Sequence, residues 1–289
     1  MAFWLFCLLC MRLSAAVINI QAPVFVLNTS LPASEYYKPV CEAKKQDALN
    51  AFTVMLDMIP EALQPTFEDI AMQFWRNDMT EPYKSEIEYF SECSGLELKD
   101  LITVNLIYDL VAVCTSIVAM DKDGKIYHAR NFDFPTVLRN DTVNLIFVDG
   151  DNNTLYETAT AAGYVGVPSG DKPNGFAITM DERYALQVPW ENILDLEKGY
   201  FPDGWLIREA LIKDKTFDEA VNRLSNTDII APIYYIVAGT DNSGSGAIIT
   251  RNQTAVNGPI INGVEYTKPL FLNQTGFIGN HEWYIVETN

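Results

Sequence analysis

Histidine is scarce in this chain: among 289 residues there are two, His128 and His281. A three-imidazole zinc site cannot be built from them and a mixed His–Cys site has little material, so neither a metal nor another cofactor is expected. Basic side chains are also short, at 20 against 38 acidic ones for a formal charge of −18, and they form no cluster. Phosphate backbones are held by an electropositive stripe, and its lack excludes nucleic acid as a partner. Beyond the N-terminus no apolar run reaches the ~18 residues of a membrane-spanning helix; the stretch 229–239 is interrupted by Pro232. Apolar content, at 48%, is high enough for a closed core rather than a disordered chain. The length fits one large α/β or α+β unit, or two domains of roughly 150 residues.

Residues Met1–Met11 form an apolar run, ended by Arg12 and followed by the small-residue sequence Leu13-Ser14-Ala15-Ala16. This reads as a secretory signal, residues 1–16, cut after Ala16. A secretory route gives meaning to five Asn-x-Ser/Thr sequons, at Asn28, Asn140, Asn152, Asn252 and Asn273, each a glycosylation acceptor. Of five cysteines, Cys7 and Cys10 fall inside the signal, while Cys41, Cys93 and Cys114 remain. An odd count in an oxidising compartment leaves one thiol outside any disulfide and open to reaction. Pairing of Cys41 with Cys93 would make Cys114 that thiol.

From Tyr36 to about Val113 the period is helical, with Leu49, Phe52 and Leu56 on one face, Ile70, Phe74 and Trp75 clustered, and Leu98, Leu101 and Ile102 recurring. After Cys114 the period changes. Residues 114–120, 125–130, 143–148, 155–160, 176–180, 234–237 and 247–250 read as strands between turns such as Asp123-Gly124 and Asp149-Gly150. One helix is expected near Trp205, and another opens at Thr216 with Glu219 completing a capping box. The order is a helical segment followed by an antiparallel-rich α+β body, with the boundary at Cys114.

A two-residue turn at Asp123-Gly124 would set Cys114 opposite Asp133, Cβ atoms about 4.5 to 5.5 Å apart. The same parity puts His128 and Arg130 on the other face, so Arg130 would need a bulge near Asn131 or Phe132 to reach the thiol. Papain-like chemistry is not indicated, because Cys114-Thr115-Ser116 lacks the flanking pattern. The Asp149–Asn153 stretch is not a calcium loop, since Thr154 and Thr160 stand where Gly and Glu are needed. The glycine-rich stretch 239–246 lacks the lysine of a phosphate loop. Glu182, just after a strand, reads from its position alone as either a catalytic carboxylate or an exposed strand end.

The run Cys114-Thr115-Ser116-Ile117-Val118-Ala119, then Gly124, then His128-Ala129-Arg130-Asn131-Phe132-Asp133, resembles the acid ceramidase and N-acylethanolamine-hydrolysing acid amidase family. These are lysosomal N-terminal-nucleophile hydrolases. The likeness continues through Asn105–Tyr108, Gly163–Gly166, Asp181-Glu182-Arg183, Trp190-Glu191-Asn192, Trp205–Arg208, Tyr234–Val237, Ile249–Asn252 and Val286–Asn289, and the Trp-Glu-Asn, Trp-Leu-Ile-Arg and Val-Glu-Thr-Asn blocks are nearer the acid amidase. The resemblance implies an αββα sandwich of two stacked antiparallel sheets between helical layers. It implies self-cleavage between Val113 and Cys114, dividing the chain into a helical small subunit, 17–113, and a catalytic large subunit, 114–289.

By the same resemblance Cys114 is the nucleophile and its new α-amine relays the thiol proton. Asp133 holds the amine, Arg130 stabilises the nucleophile, Asn289 contributes to the oxyanion hole, and Glu182 serves processing and site geometry. An α-amine near pKa 7.7 and a thiol near 8.5 are both protonated in acid, so a cation-assisted thiolate or a depressed amine is expected. The implied substrate is a fatty-acyl amide lipid, an N-acylethanolamine with ceramide as the alternative, hydrolysed in the lysosome or after secretion. The helices of residues 36–80, with Phe74 and Trp75, offer either a membrane-surface contact or packing within the small subunit. Family members run on beyond the block matching Asn289, so the C-terminal part of the fold is expected to be missing and a sheet edge exposed. The alternative of another class is a truncated, inactive lipid-binding or regulatory product.

Overall fold

The computed structural model describes residues 21–107, 113–133, 137–183, 189–240, 245–258, 260–261, 264–265, 267–272 and 283–288. The signal reading of residues 1–16, His281, the Asn273 sequon and Asn289 lie outside the described residues.

The N-terminal segment is not wholly helical. Its first element, β1 (Val24–Asn28), lies parallel to β4 (Thr142–Val148), with Val24 paired to Asn144 and Asn28 to Val148. Five helices follow: α1 (Ala33–Tyr36), α2 (Lys38–Leu56), α3 (Gln64–Asn77), α4 (Tyr83–Ser94) and α5 (Leu98–Ile107). Proline opens α2 and α3 in the first turn, where a missing N–H leaves no bond unmade. Gly95, at φ 81°, ends α4 in the left-handed region that a residue without Cβ enters freely. A disulfide between Cys41 and Cys93 ties α2 to α4, and Cys114 keeps its thiol.

The body carries β2 (Val113–Met120), β3 (Ile126–Asp133), α6 (Leu138–Asp141), β4, β5 (Thr154–Ala161), β6 (Ser169–Asp171) and β7 (Phe176–Glu182). Helices α7 (Pro189–Leu196), α8 (Asp203–Lys213) and α9 (Phe217–Asn226) come next. The described strands after them are β8 (Ile233–Gly239), β9 (Gly246–Arg251), the short β10 (Ile260–Ile261) and β11 (Val264–Glu265), β12 (Leu270–Phe271) and β13 (Tyr284–Thr288). The capping box forms as expected: Glu219 N–H donates to Thr216 Oγ1 at 3.2 Å and Thr216 N–H to Glu219 Oε2 at 3.3 Å.

Eight strands form one sheet in the order β1-β4-β5-β6-β7-β8-β9-β12, and three form a second, β13-β2-β3. Strand alternation divides the large sheet into two faces. Tyr235, Val237 and Ile249 face the helices, in one core with Trp205 and Leu211. Ile236, Ala238 and Ile248 face the small sheet, meeting Val118 of β2. The two sheets are therefore stacked as expected. Tyr127 of β3 and Val286 of β13 are exposed, and β3 is an edge among the described strands.

The helical segment is locked to the body by buried polar contacts. Glu86 of α4 receives both Nη1 and Nη2 of Arg208 of α8, at 2.6 and 2.7 Å. The rings of Tyr83 and Phe147 flank that guanidinium at 5.0 and 5.1 Å, and Arg208 Nε donates to Tyr156 at 2.9 Å. Asn105 donates to Gly163 O at 3.0 Å and accepts from Val165 N–H at 2.8 Å. Phe74 is buried against Trp205, ring centroids 5.8 Å apart, which agrees with the packing reading of this aromatic. Trp75 is partly buried, with Lys84 Nζ 4.3 Å over its ring.

Candidate active site

The hairpin of β2 and β3 fixes the site, and its turn differs from the expected one. Asp121 Oδ1 accepts the N–H groups of both Asp123 and Lys125 at 2.9 Å, and Gly124 sits at φ 84°. The loop is thus three residues, Lys122-Asp123-Gly124, with glycine in the left-handed position. One extra loop residue moves the register by one and reverses the face of every partner. Cys114 lies opposite Phe132, Ser116 opposite Arg130 and Val118 opposite His128, while Asp133 lies opposite Val113. The expected Cys114–Asp133 pair is corrected by this register. Arg130 needs no bulge, and His128 is on the face of Cys114 rather than away from it.

Arg130 Nη2 donates to Cys114 Sγ at 2.8 Å and to Met180 O at 2.6 Å. Its Nη1 reaches Ser169 Oγ at 2.8 Å and Pro168 O at 3.1 Å, and its Nε meets Asp181 Oδ1 at 3.3 Å. Cys114 is 1% exposed and Asp181 0%, so this cation and its counter-ion act where solvent screening is weak. Ser116 Oγ donates to Asp181 Oδ1 at 2.9 Å, and Thr179 Oγ1 donates to Ser116 Oγ at 2.9 Å. His128 Nε2 is 3.0 Å from Thr179 Oγ1, so one hydrogen-bonded chain runs from imidazole to carboxylate beneath the thiol. Burial, then the nearby Arg130, pushes His128 down to about 4. Burial lifts the Asp181 carboxyl above the ordinary range, against the pull of Arg130 and Ser116.

The structure brings Cys114 and Arg130 into contact, and of the other expected residues it describes Asp133 and Glu182. Asp133 is exposed, accepts from Asn131 Nδ2 at 2.6 Å, and lines a cavity of about 420 Å³ beside Arg130. That cavity has apolar walls from Phe52 and Met55 of α2 and Val104 of α5, so helical segment and body enclose it together. Glu182 is the last residue of β7, next in the chain to Asp181, and is partly buried rather than a fully exposed strand end. β13 runs beside β2 as far as Thr288, whose partner is Thr115.

Sequence reasoning missed Asp181, Ser116 and Thr179. Asp181 stood in the Asp-Glu-Arg block, but only the stacking of two sheets sets it under Ser116. Of the described sequons, Asn140 and Asn152 are exposed, and Asn28 and Asn252 are half-buried.

A family profile described as linear amide C–N hydrolases, choloylglycine hydrolase family, matches residues 114–266, a span that begins at the thiol. The chain is similar to N-acylethanolamine-hydrolyzing acid amidase of Mus musculus, 33% identical over 95% of this chain and 72% of that protein. It is similar to acid ceramidase of Homo sapiens, 35% identical over 60% of this chain and 48% of that protein, and so spans about half of the latter. Among solved structures, a Caenorhabditis elegans N-acylethanolamine-hydrolyzing acid amidase ortholog matches with TM-score 0.50 and 32% identity, over 61% of this chain and 70% of that one.

Proposed function

Because this chain belongs to the choloylglycine-hydrolase family of linear amide C–N hydrolases, we propose that it hydrolyses fatty-acyl amides of the N-acylethanolamine kind through Cys114, after cutting itself at Val113–Cys114. Its fold is the α+β sandwich of the N-terminal-nucleophile hydrolases, with two stacked sheets and helices. The observation that carries the reading is the Arg130 guanidinium 2.8 Å from the Cys114 sulfur. A cation beside a thiol favours the thiolate, the form that attacks a carbonyl.

In the first event Cys114 Sγ attacks the Val113 carbonyl carbon, the C–N bond breaks, and the amine takes a proton and becomes the new N-terminus. Water then hydrolyses the thioester, leaving a Val113 carboxylate and a restored thiol. In turnover the same sulfur attacks the lipid amide, the protonated amine departs, and water releases the fatty acid. The new α-amine carries the thiol proton, with Asp133 near the cut because it lies opposite Val113. Glu182 and Asn289 take the geometric and oxyanion roles that the family resemblance assigns.

The 420 Å³ cavity beside Arg130 is within the ~300–1,000 Å³ of small-ligand sites, and its apolar walls suit an acyl chain. Cleavage would leave 17–113 and 114–289 as two subunits, which the buried Glu86–Arg208 pair supports holding together. A lysosomal, glycosylated product fits the "acid" amidase and ceramidase relatives.

The test compares hydrolysis of palmitoylethanolamide and ceramide at acidic pH, with Cys114→Ala as control. Faster turnover of the ethanolamide, lost in the variant, is expected. Faster ceramide turnover favours the ceramidase reading. Lipid binding without turnover of either favours a non-catalytic product.

A further inference from the structure

Two carboxylates approach Ser116 from different sheets, Glu287 as its strand partner and Asp181 through a hydrogen bond, and Asp181 also meets Arg130. Glu287 of β13 lies opposite Ser116 of β2, on the face that Ser116 shares with Cys114. Ser116 donates to Asp181 Oδ1, the oxygen that also receives Arg130 Nε. Asp181 Oδ2 is buried and accepts no hydrogen bond among the described residues. Two carboxylates gathered around one buried serine, one of them with a buried oxygen unbonded, cannot both ionise cheaply, so they favour holding one proton between them.

The groups around Glu287 can be named element by element. β2 offers the neutral Ser116, β7 offers Asp181 with Arg183 just beyond it, and β8 offers Tyr234, which pairs with Asp181. Glu182 points to the opposite face of β7 by strand alternation. Arg251 of β9 turns its guanidinium to the carbonyls of Leu224 and Thr227. Glu287 also accepts the Thr288 N–H at 3.2 Å.

We propose that Asp181 and Glu287 form a proton-sharing carboxylate pair that sets how much of the Arg130 charge is left for the Cys114 sulfur, which makes Glu287 a positioning residue for the nucleophile. With one proton between them, the pair carries a single negative charge, matched by Arg130. When that proton leaves, a second negative charge appears under the guanidinium and the thiolate is disfavoured. The direction agrees with the surroundings: burial first, and Asp181 in addition, raises Glu287 to about 7, against Thr288 N–H and Arg183. The pair therefore takes its proton as pH falls into the acid range, where the proposed reaction runs.

The inference rests on Cys114 as nucleophile, yet its test does not need turnover. The ultraviolet absorbance of the thiolate is titrated in the full chain, with Cys114→Ala as blank. Glu287→Gln mimics the protonated pair at every pH and is expected to move the thiolate midpoint down by at least about half a unit. Glu287→Asp keeps the charge and is expected to stay near the unsubstituted midpoint. An unchanged midpoint in Glu287→Gln, or an equal shift in both variants, overturns the proposal. An amidase that fails to turn over but still shows the charge-specific shift would count against the proposed function alone.

Discussion

Among the described residues Arg130 directs its guanidinium at five acceptors: Cys114 Sγ, Asp181 Oδ1, Ser169 Oγ and the carbonyls of Pro168 and Met180. Lysine has three donors on a point charge and cannot span that set. Arg130→Lys is expected to lower kcat for the amide at acidic pH by about 100-fold, the scale of removing one preorganised donor. A kcat within a few-fold of the unsubstituted protein would show that the contact with sulfur does not matter to the reaction. That Cys114 and Arg130 belong together was legible from the residues on either side of Gly124, because their types and order carry the resemblance, and the two side chains are in contact. Asp181 was not legible, since what distinguishes it from Glu182 is the sheet face it occupies and the serine it meets there.

At the scale of elements, the β2–β3 hairpin decides which side chains share a face. Asp-Gly announces a turn, but whether the loop has two residues or three depends on Asp121, whose side chain accepts two backbone N–H groups and adds a residue to the loop. That single contact accounts for the misplacement of Arg130, His128 and Asp133 when the sequence alone is read. Gly124→Ala puts a Cβ at φ 84° and is expected to cost about 1 kcal/mol in denaturant unfolding. A neutral result would mean that the loop relaxes to another register. The seven strands with strong alternation or apolar runs were legible within a few residues. β1 was not, because its partner β4 lies more than a hundred residues away, and β6 was not, because Ser169-Gly170-Asp171 has no apolar pattern.

For the whole molecule, the join between helical segment and body is expected to respond to pH. Asp141, 0% exposed at the end of α6, has both carboxyl oxygens buried without hydrogen bonds among the described residues. Nearby, Lys44 of α2 donates to Asn140 O at 2.7 Å and to Asp47 at 3.0 Å. Burial, with a further contribution from Asp47, raises Asp141 from 3.8 to about 8. Between those values the unfolded chain releases a proton that the folded chain keeps. The contribution of Asp141 to stability is therefore fully present below 3.8 and is lost as pH rises to about 8, by up to about 1.4 kcal/mol per unit. His128, held down near 4, works in the opposite sense between 6.5 and 4, so a comparison with Asp141→Asn isolates the carboxylate. The variant and the unsubstituted protein are expected to melt together near pH 4, with the variant melting higher near pH 7. A melting difference that does not change with pH would contradict this.

The peptide link between Val113 and Cys114 joins the first two residues of β2. The most direct measurement is mass spectrometry of the purified full chain after incubation in acid, alongside Cys114→Ala. The expected spectrum contains a new N-terminal peptide beginning at Cys114, absent from the variant, in step with the rise of amide hydrolysis. An intact Val113–Cys114 link in material that hydrolyses the amide, or the same cut in the variant, would contradict the assignment of Cys114 as a self-released nucleophile.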